Sequence, residues 1–370
     1  PNRLDKKELE TLITNGIEST RYLAVDESRM LADPARYYKG GKPDLQLFDK
    51  KLYEVNPDDK VAIARAAAEE VLGKDERIIS VDSSYSDGEG SSYRLISNGF
   101  EGESKSTWFS VSASVSIKGE GEARPQDYWY DSALFYDKLT KTGIGAKALE
   151  RVLRKLGQKK AKSGKYTMVV DPMNVGNLLS PMLSALYGSA LQQKNSFLMD
   201  KLDTKVASDL FTLRDEPHAI GANGSRYFDN EGVATEPRTV FDKGVLKTYF
   251  IDTYNGKKMD IAPTISAPSR LILTPGDKDL NGLVADIKQG ILVTGFNGGN
   301  SNSSTGDFSY GIEGFLIEDG KLTQPVNEMN VTGNMVTLWN SLVAVGNDPQ
   351  PNRSWQIPSL VFEGVDFSGL

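Results

Sequence analysis

Residues 109–117 read Phe-Ser-Val-Ser-Ala-Ser-Val-Ser-Ile, an unbroken alternation of apolar side chains with serine. Because successive side chains of a β-strand point to opposite faces, this period of two predicts a strand with one apolar and one hydroxyl-bearing face. One-sided strands of this kind are typical of antiparallel sheets. The serine face could line a cavity, but a solvated sheet face is the ordinary interpretation, so we predict no chemistry for it.

Helical periodicity lies on both sides of this strand. An opening helix with one buried apolar stripe is predicted from the spacing of Leu9, Leu12, Ile13 and Ile17. A second helix is predicted from a cap and first-turn proline at Asn56-Pro57, an Ala- and Glu-rich run over 61–72, and the stop signal of Gly73. The apolar spacing over 149–156 predicts a third helix, and we interpret the basic residues near its end as structural, since a helix C-terminus favours cations.

The organisation changes after Ser163-Gly164, where a predicted strand at 166–170 is followed by an apolar helical stretch at 175–191 and then by short strands and turns. Two hairpins are predicted, with turns at Asp242-Lys243-Gly244 and Glu318-Asp319-Gly320. A late helical stripe is predicted from Met335, Leu338, Trp339, Leu342 and Val343. We therefore predict an α+β protein with an N-terminal α/β domain over 1–163 and a C-terminal domain rich in antiparallel strands over 164–370.

Composition narrows the classes of function. The 370 residues carry a net charge of -7, which disfavours direct nucleic-acid binding because a polyphosphate would be repelled. The sequence has no run of ~18 apolar residues that could span a membrane, and it contains no cysteine. We expect a soluble, cytoplasmic protein.

Few residues suit metal or acid–base chemistry. Without cysteine and with His218 as the single histidine, the sequence offers too few of the ligands that protein zinc sites use. We interpret His218 as structural, because no nucleophile and orienting acid are visible beside it. An acid–base pair could be drawn from Asp229, Glu231, Glu236 and Asp307, but salt bridges and turn caps are the better default for these carboxylates.

The stretch over 294–307 is the most unusual in the chain, being rich in Gly, Asn and Ser, and its composition predicts a loop. It matches neither the phosphate-binding loop nor the dinucleotide-binding pattern. It could bring backbone amides close to a peptide or sugar ligand, and a plain flexible loop is the equal alternative. The candidate binding residues in it are Asn297, Gly298, Gly299, Thr305 and Asp307.

Three segments of the second domain resemble the TldD/PmbA family, long labelled modulators of DNA gyrase. They are the Tyr227–Thr235 run Tyr-Phe-Asp-Asn-Glu-Gly-Val-Ala-Thr, the Thr305–Ser309 run that precedes 314–320 and 325–326, and the stretch from Thr332-Gly333-Asn334-Met335 to Val345-Gly346-Asn347-Asp348. Together they span about residues 166–370 in the family's order. The first domain resembles the family more loosely and lacks its opening strand-rich segment, as expected of a chain trimmed before Pro1.

The resemblance implies a two-component metallopeptidase that cuts unfolded peptides. In that family the TldD subunit carries a His-Glu-x-x-x-His helix that binds zinc, and the PmbA (TldE) subunit is its partner. The corresponding helix here spans 177–188 and contains neither His nor Glu; the positions of the lost metal-binding helix are Ser180, Pro181, Ser184 and Ala185. The chain therefore resembles the PmbA side of the family.

The resemblance further implies that this chain has no catalytic residue and no cofactor of its own. Zinc is expected in a TldD-like partner, with which the chain would dimerise around a peptide cavity; a homodimer is the other assembly considered. Two alternatives stay open: a metal-independent hydrolase built around Ser180, Ser184 or Asp307, and a regulatory protein that binds gyrase without proteolysis.

Overall fold

The computed structural model describes residues 5–370. The first part of the chain forms a three-stranded antiparallel sheet in the order β1-β2-β3 with helices packed on its apolar face. Its helices and strands are α1 (Lys6–Thr20), α2 (Pro57–Glu69), β1 (Ile78–Ile96), β2 (Phe100–Ile117), β3 (Gln126–Ala133) and α3 (Ile144–Leu153).

The alternation in β2 behaves as predicted. Its apolar side chains are buried against α2 and α3, while the serines between them are half-buried on the other face. The predicted cap of α2 is confirmed as well, because the Asn56 side chain accepts a hydrogen bond from the Asp59 amide at 2.9 Å. The carboxylate of Glu70, directly after α2, accepts from the amides of Gly143 and Gly145 and so joins α2 to the start of α3.

The second part contains two further sheets. Its helices and strands are β4 (Gly164–Val170), α4 (Gly176–Ser184), α5 (Gly188–Gln192), β5 (Leu213–Asp215), β6 (Arg238–Asp242), β7 (Val245–Leu246), α6 (Thr253–Met259), β8 (Leu271–Leu273), α7 (Leu280–Ala285), β9 (Gln289–Ser301), β10 (Asp307–Glu318), β11 (Lys321–Asn334), α8 (Met335–Asn340), β12 (Leu342–Val345), β13 (Trp355–Gln356) and β14 (Leu360–Ser368).

The larger sheet has the order β11-β10-β9-β4-β14-β12, and an additional pairing of β11 with β14 closes five of its strands on themselves. The smaller sheet has the order β13-β8-β5-β6-β7. Antiparallel pairing dominates both, with β4–β9 and β13–β8 as the parallel pairs. The α+β prediction is confirmed, and so are both predicted hairpin turns: Lys243, Gly244, Asp319 and Gly320 all have positive φ, as a two-residue turn of this hand requires.

The predicted buried stripe of α1 is wrong. The helix forms, but none of its residues is buried, and Leu12, Ile13 and Ile17 are 49%, 60% and 53% exposed. An amphipathic pattern shows that a helix has an apolar face, but it does not show what covers that face. Within the described chain, that face stays on the surface.

The predicted loop over 294–307 is also wrong for most of its length. Residues up to Ser301 belong to β9, and Asp307 already begins β10, so the turn occupies only 302–306. The glycines allow the two strands to approach closely. A Cβ on Gly299 would lie 2.1 Å from the Ser309 carbonyl oxygen, and a Cβ on Gly311 would lie 2.4 Å from the Asn297 carbonyl oxygen. The glycine-rich composition of this stretch therefore reflects two closely packed strands of an irregular hairpin and not a loop.

The late helical stripe is shorter than predicted. Helix α8 ends at Asn340, and Leu342 already begins β12. Met335, Leu338 and Trp339 do form a buried helical face, and Trp339 packs against Phe211 with ring centroids 4.4 Å apart. A helical stripe and a short buried strand share apolar residues at this spacing, so periodicity could not locate the boundary.

Candidate functional site

The main candidate site is a cavity of about 650 Å3 beside helix α4. Three parts of the C-terminal region meet there: α4, the end of the β9–β10 hairpin, and strand β13. The lining residues are Gly176, Asn177, Ser180, Pro181, Ser184, Ser301, Ser303, Tyr310 and Trp355. None of these described lining residues carries a charge, so the cavity offers hydroxyl and amide groups between two aromatic rings.

Helix α4 is anchored by its apolar face. Leu178, Leu179, Met182 and Leu183 are buried in the main core, which leaves Asn177, Ser180 and Ser184 exposed toward the cavity. Pro181 lies inside the helix and has no N–H, so the Asn177 carbonyl cannot receive its usual helical hydrogen bond from that position.

A buried carboxylate sets the entry into α4. Asp171 follows β4 directly, and its Oδ1 accepts hydrogen bonds from the Asn174 amide at 3.0 Å and from the Asn174 side chain at 2.7 Å. The side-chain Nδ2 of Asn174 also donates to the Thr294 carbonyl on β9 at 2.8 Å. Burial raises the pKa of Asp171 to about 6, and the hydrogen bonds from Asn174 oppose that rise.

The hairpin end is held from two sides. Ser303 donates to the Asn195 side-chain oxygen at 2.8 Å, and its carbonyl accepts from the Phe197 amide at 2.9 Å. On the other side, the Asp307 carboxylate accepts from Thr305 Oγ1 at 2.7 Å and from Asn334 Nδ2 at 3.0 Å. These hydrogen bonds, from Asn334 first and Thr305 second, lower the pKa of Asp307. The hairpin end thus forms a fixed wall of the cavity.

The sequence-predicted site residues separate into four groups. Ser180, Pro181 and Ser184 line the cavity, whereas Ala185 is buried behind them. Asn297, Gly298 and Gly299 are exposed on β9 outside the lining set, and Thr305 and Asp307 lock the hairpin end instead of facing the cavity. Whether any of the nine contacts a ligand stays a prediction.

Sequence reasoning did not single out Tyr310 or Trp355, which supply the aromatic part of the lining. Tyr310 follows Phe308 on β10, and Trp355 belongs to a two-residue strand far along the chain. No periodic or motif signal marks Trp355. Only the parallel pairing of β13 with β8 brings it to this cavity.

The segment Tyr227–Thr235, which carries much of the family resemblance, is structural. The Asp229 carboxylate is buried and accepts from three backbone amides: Glu231 at 2.9 Å, Val233 at 3.0 Å and Ser266 at 3.0 Å. Glu231 in turn accepts from the amide and hydroxyl of Thr253 at the start of α6. Both carboxylates are therefore occupied in fixing turns, as the default interpretation predicted.

His218 is engaged in the same region. Its Nε2 lies 3.1 Å from Thr235 Oγ1, and because that hydroxyl donates to the Arg226 carbonyl, the imidazole is the donor of the pair. Burial, followed by the nearby Lys42 charge, lowers the pKa of His218 below its usual value. A ring with Nε2 used in this way is a structural hydrogen-bond donor, in line with the interpretation from sequence.

The cavity does not fit a zinc ion. Zinc in proteins is held by His, Cys, Asp or Glu, and α4 presents an amide, a proline ring and two hydroxyls at the cavity wall. Within residues 5–370 there is also no cluster of three or more such ligand side chains. No metal-dependent step is therefore assigned to residues of this chain.

The fold and the cavity define an α+β protein with an uncharged recess beside α4. Two family models match the sequence. The model of the PmbA/TldA metallopeptidase central domain matches residues 50–156, and that of the C-terminal domain matches residues 163–369. The chain belongs to the PmbA/TldD metallopeptidase family, on its PmbA/TldE-like side. The predicted boundary at 163/164 stays a prediction.

Individual relatives agree. The chain is 29% identical to a metalloprotease PmbA homolog of Haemophilus influenzae, over 97% of this chain and 81% of the relative. A metalloprotease TldD homolog of Buchnera aphidicola is 25% identical over only 54% of this chain and 44% of the relative. The PmbA-type match thus extends through nearly the whole sequence.

Solved structures show the same fold. A protein of Bacteroides thetaiotaomicron described as a proposed modulator of DNA gyrase is 73% identical, with a TM-score of 0.98 over 100% of this chain and 85% of that one. TldE of Thermococcus kodakarensis has a TM-score of 0.81 at 22% identity, over 99% of this chain and 86% of its own. Within the described residues, no helix combines the length and apolar character needed to cross a membrane.

Proposed function

We propose that this chain is the non-catalytic, PmbA-like subunit of a two-component metallopeptidase that acts on unfolded peptides. The observation that carries the proposal is the cavity beside α4, where uncharged hydroxyl and amide groups occur and metal ligands do not. In this proposal a TldD-like partner supplies the zinc, and this chain supplies a wall that holds the peptide.

The lining suits a peptide backbone. Ser180, Ser184 and Ser301 can donate to or accept from main-chain groups without selecting a charged side chain, and Tyr310 and Trp355 offer apolar surface. A site with neutral polar groups and aromatic walls would accept many sequences. Such low selectivity fits the processing of unfolded chains.

The exposed apolar surface on α1 and the segment after it supports a partner subunit. Besides the helix, this surface includes Tyr22, Leu23, Val25, Met30 and Leu31, of which Val25 is 92% exposed. Many exposed apolar side chains within one short stretch of chain favour a protein contact there. We assign it to the TldD-like subunit, and a homodimer is the competing occupant.

The deciding experiment measures zinc content and hydrolysis of an unfolded peptide, first with this chain alone and then with a TldD-like partner from the same organism. The proposal expects a metal-free, inactive single chain and chelator-sensitive activity in the mixture. Stoichiometric metal or turnover in the isolated chain would sink it. The matched control is a mixture in which the partner's metal-binding histidines are replaced, and it should be inactive.

A metal-independent hydrolase is the first competing function. It needs a base beside Ser180 or Ser184, and none of the described lining residues is His, Asp, Glu or Lys. Activity that resists chelators and disappears in Ser184→Ala would favour it over the subunit proposal.

Regulation of gyrase without proteolysis is the second competing function, favoured by the description of the Bacteroides protein. The net charge of -7 argues for a protein contact, not a DNA contact. Retention of gyrase, with no TldD-like chain, on the immobilised protein would support this alternative.

A further inference from the structure

A second cavity, of about 590 Å3, lies where three parts of the chain meet. Gln46 comes from the segment before α2, Leu134, Phe135 and Lys138 follow β3, and the remaining residues belong to the C-terminal region: Ile220, Gly221, Ala222, Asn223, Arg270, Asn352, Arg353 and Gln356. Gln356 and Trp355 are consecutive in β13, so their side chains point to opposite faces, and this cavity is separate from the one beside α4.

All the charged side chains that line this cavity are positive. Lys138, Arg270 and Arg353 line it, and no carboxylate occurs among its described lining residues. None of the three cations forms an ion pair with another described residue. The neighbouring carboxylates are occupied elsewhere, because Asp137 pairs with Lys51 and Glu216 pairs with Arg214.

The two arginines are held in place without an anionic partner. Arg270 Nε is buried and has no hydrogen-bond acceptor among the described residues. The Arg353 guanidinium lies 4.8 Å from the centre of the Tyr130 ring. Burial lowers the pKa of both side chains, and the nearby Glu216 charge opposes this shift at Arg270.

Another cavity that contains basic residues shows the contrast. It has a similar volume of about 640 Å3 and also contains basic residues, including Arg151 and Arg154. Its wall, however, includes the carboxylates of Asp171, Asp279 and Asp348, and Arg151 pairs with Asp127. Carboxylates thus line that cavity together with the basic residues, whereas none lines the Arg270–Arg353 cavity among the described residues.

We propose that the Arg270–Arg353 cavity is a binding site for a small organic anion bearing carboxylate or phosphate groups. Guanidinium groups bind both by paired, charge-assisted hydrogen bonds. Arg270 would donate through its terminal guanidinium nitrogens, Arg353 would bind from the Tyr130 side, and Lys138 would close the solvent edge. Leu134, Phe135 and Ile220 give the ligand's apolar part a contact surface.

Calorimetric titration at constant ionic strength tests this site on the full chain, with acetate, succinate, citrate and inorganic phosphate as probes. One saturable site is expected, with affinity rising along the carboxylate series, since three cations face the ligand. The phosphate arm separates phosphate recognition from carboxylate recognition. Binding of phosphate more tightly than of citrate would assign the site to phosphate compounds.

Lys138→Gln, Arg270→Gln and Arg353→Gln should each weaken binding by about tenfold, because each removes a charge-assisted hydrogen bond. Lys138 is exposed, so its variant keeps the test valid if an arginine variant fails to fold. The matched control is Arg77→Gln, which removes an ion-paired arginine that does not line the cavity and should leave the affinity unchanged. Absence of saturable binding by all four probes, or equal affinity in Lys138→Gln and the parent chain, would overturn the proposal.

Discussion

Two polar regions of the C-terminal part are built in opposite ways. In the Tyr227–Thr235 segment, Asp229 and Glu231 are saturated by backbone and hydroxyl donors. At the α4 cavity, Ser180 and Ser184 face an open recess. The difference shows that a motif which identifies a family can have a structural role, while the residues that line a cavity need not belong to any motif.

The largest effect is expected at Asp229. Asp229→Ala removes the acceptor of three backbone amides and should lower the free energy of unfolding by ~3 kcal/mol or more, because buried donors lose their partner. Urea denaturation measures this. The control is Asp209→Ala, an exposed residue paired with Lys205, for which a change below about 0.5 kcal/mol is expected. Equal effects of the two substitutions would contradict the structural role of the motif.

A smaller, pH-dependent effect is expected at Asp171, at the entry to the cavity wall. Its folded pKa of about 6 lies above the ordinary 3.8, so the folded state binds the proton more tightly than the unfolded state. Stability from this group therefore rises as pH falls through 6 and is complete below about 4. Between pH 7 and 5 the gain should be on the order of 1 kcal/mol.

Urea denaturation of the parent chain and Asp171→Asn at both pH values isolates this gain as the difference between the two proteins. Asn retains an oxygen for the Asn174 donors. A variant whose pH dependence runs parallel to that of the parent chain would show that Asp171 does not titrate in this range.

At the cavity wall itself, stability and function should separate. Ser184→Trp places a large ring into the recess from an exposed position, so the unfolding free energy should change by less than about 1 kcal/mol. Peptide hydrolysis by the mixture with a TldD-like partner should fall at least several-fold. Ser184→Ala is the control and should retain activity within about twofold. If Trp is tolerated at full activity, the peptide does not use this cavity.

The smallest effect on folding is expected on α1. Ile13→Glu with Ile17→Glu alters exposed side chains and should leave monomer stability nearly unchanged. If this surface binds the TldD-like subunit, association should weaken by at least tenfold, as measured by analytical ultracentrifugation. The control Thr11→Glu with Asn15→Glu adds the same charge on the opposite, exposed side of the helix and should not weaken it. Association unaffected by the double variant would remove α1 from the interface.

Several elements could be predicted from local sequence because their signals are local. The alternation over 109–117, the Asn56 cap and the two Gly-containing hairpin turns each reflect contacts within a few residues along the chain. The 294–307 stretch misled because glycine serves both loops and closely packed strands. Only the opposing strand, with Ser309 behind Gly299, distinguishes these two uses.

The candidate site was predicted only in part for the same reason. Ser180, Pro181 and Ser184 could be located because their helix has a counterpart in the family. Trp355 and Tyr310 could not, since each reaches the cavity through strand pairing between distant segments. No local pattern encodes such a pairing.

By itself, the sequence determined the alternating strand at 109–117, the Asn56 helix cap, the two hairpin turns, the family, and the shortage of His and Cys for a zinc site of the usual kind, because these depend on residue identity and short spacing. The tertiary structure alone decided which polar groups are satisfied and which face a cavity. The carboxylates of Asp229 and Glu231 accept hydrogen bonds that fix turns, whereas Ser180 and Ser184 face a cavity. Lys138, Arg270 and Arg353 come from distant segments of the chain and line one cavity. Satisfaction of a buried polar group depends on partners brought together by long-range packing, and the order of residues does not specify those partners.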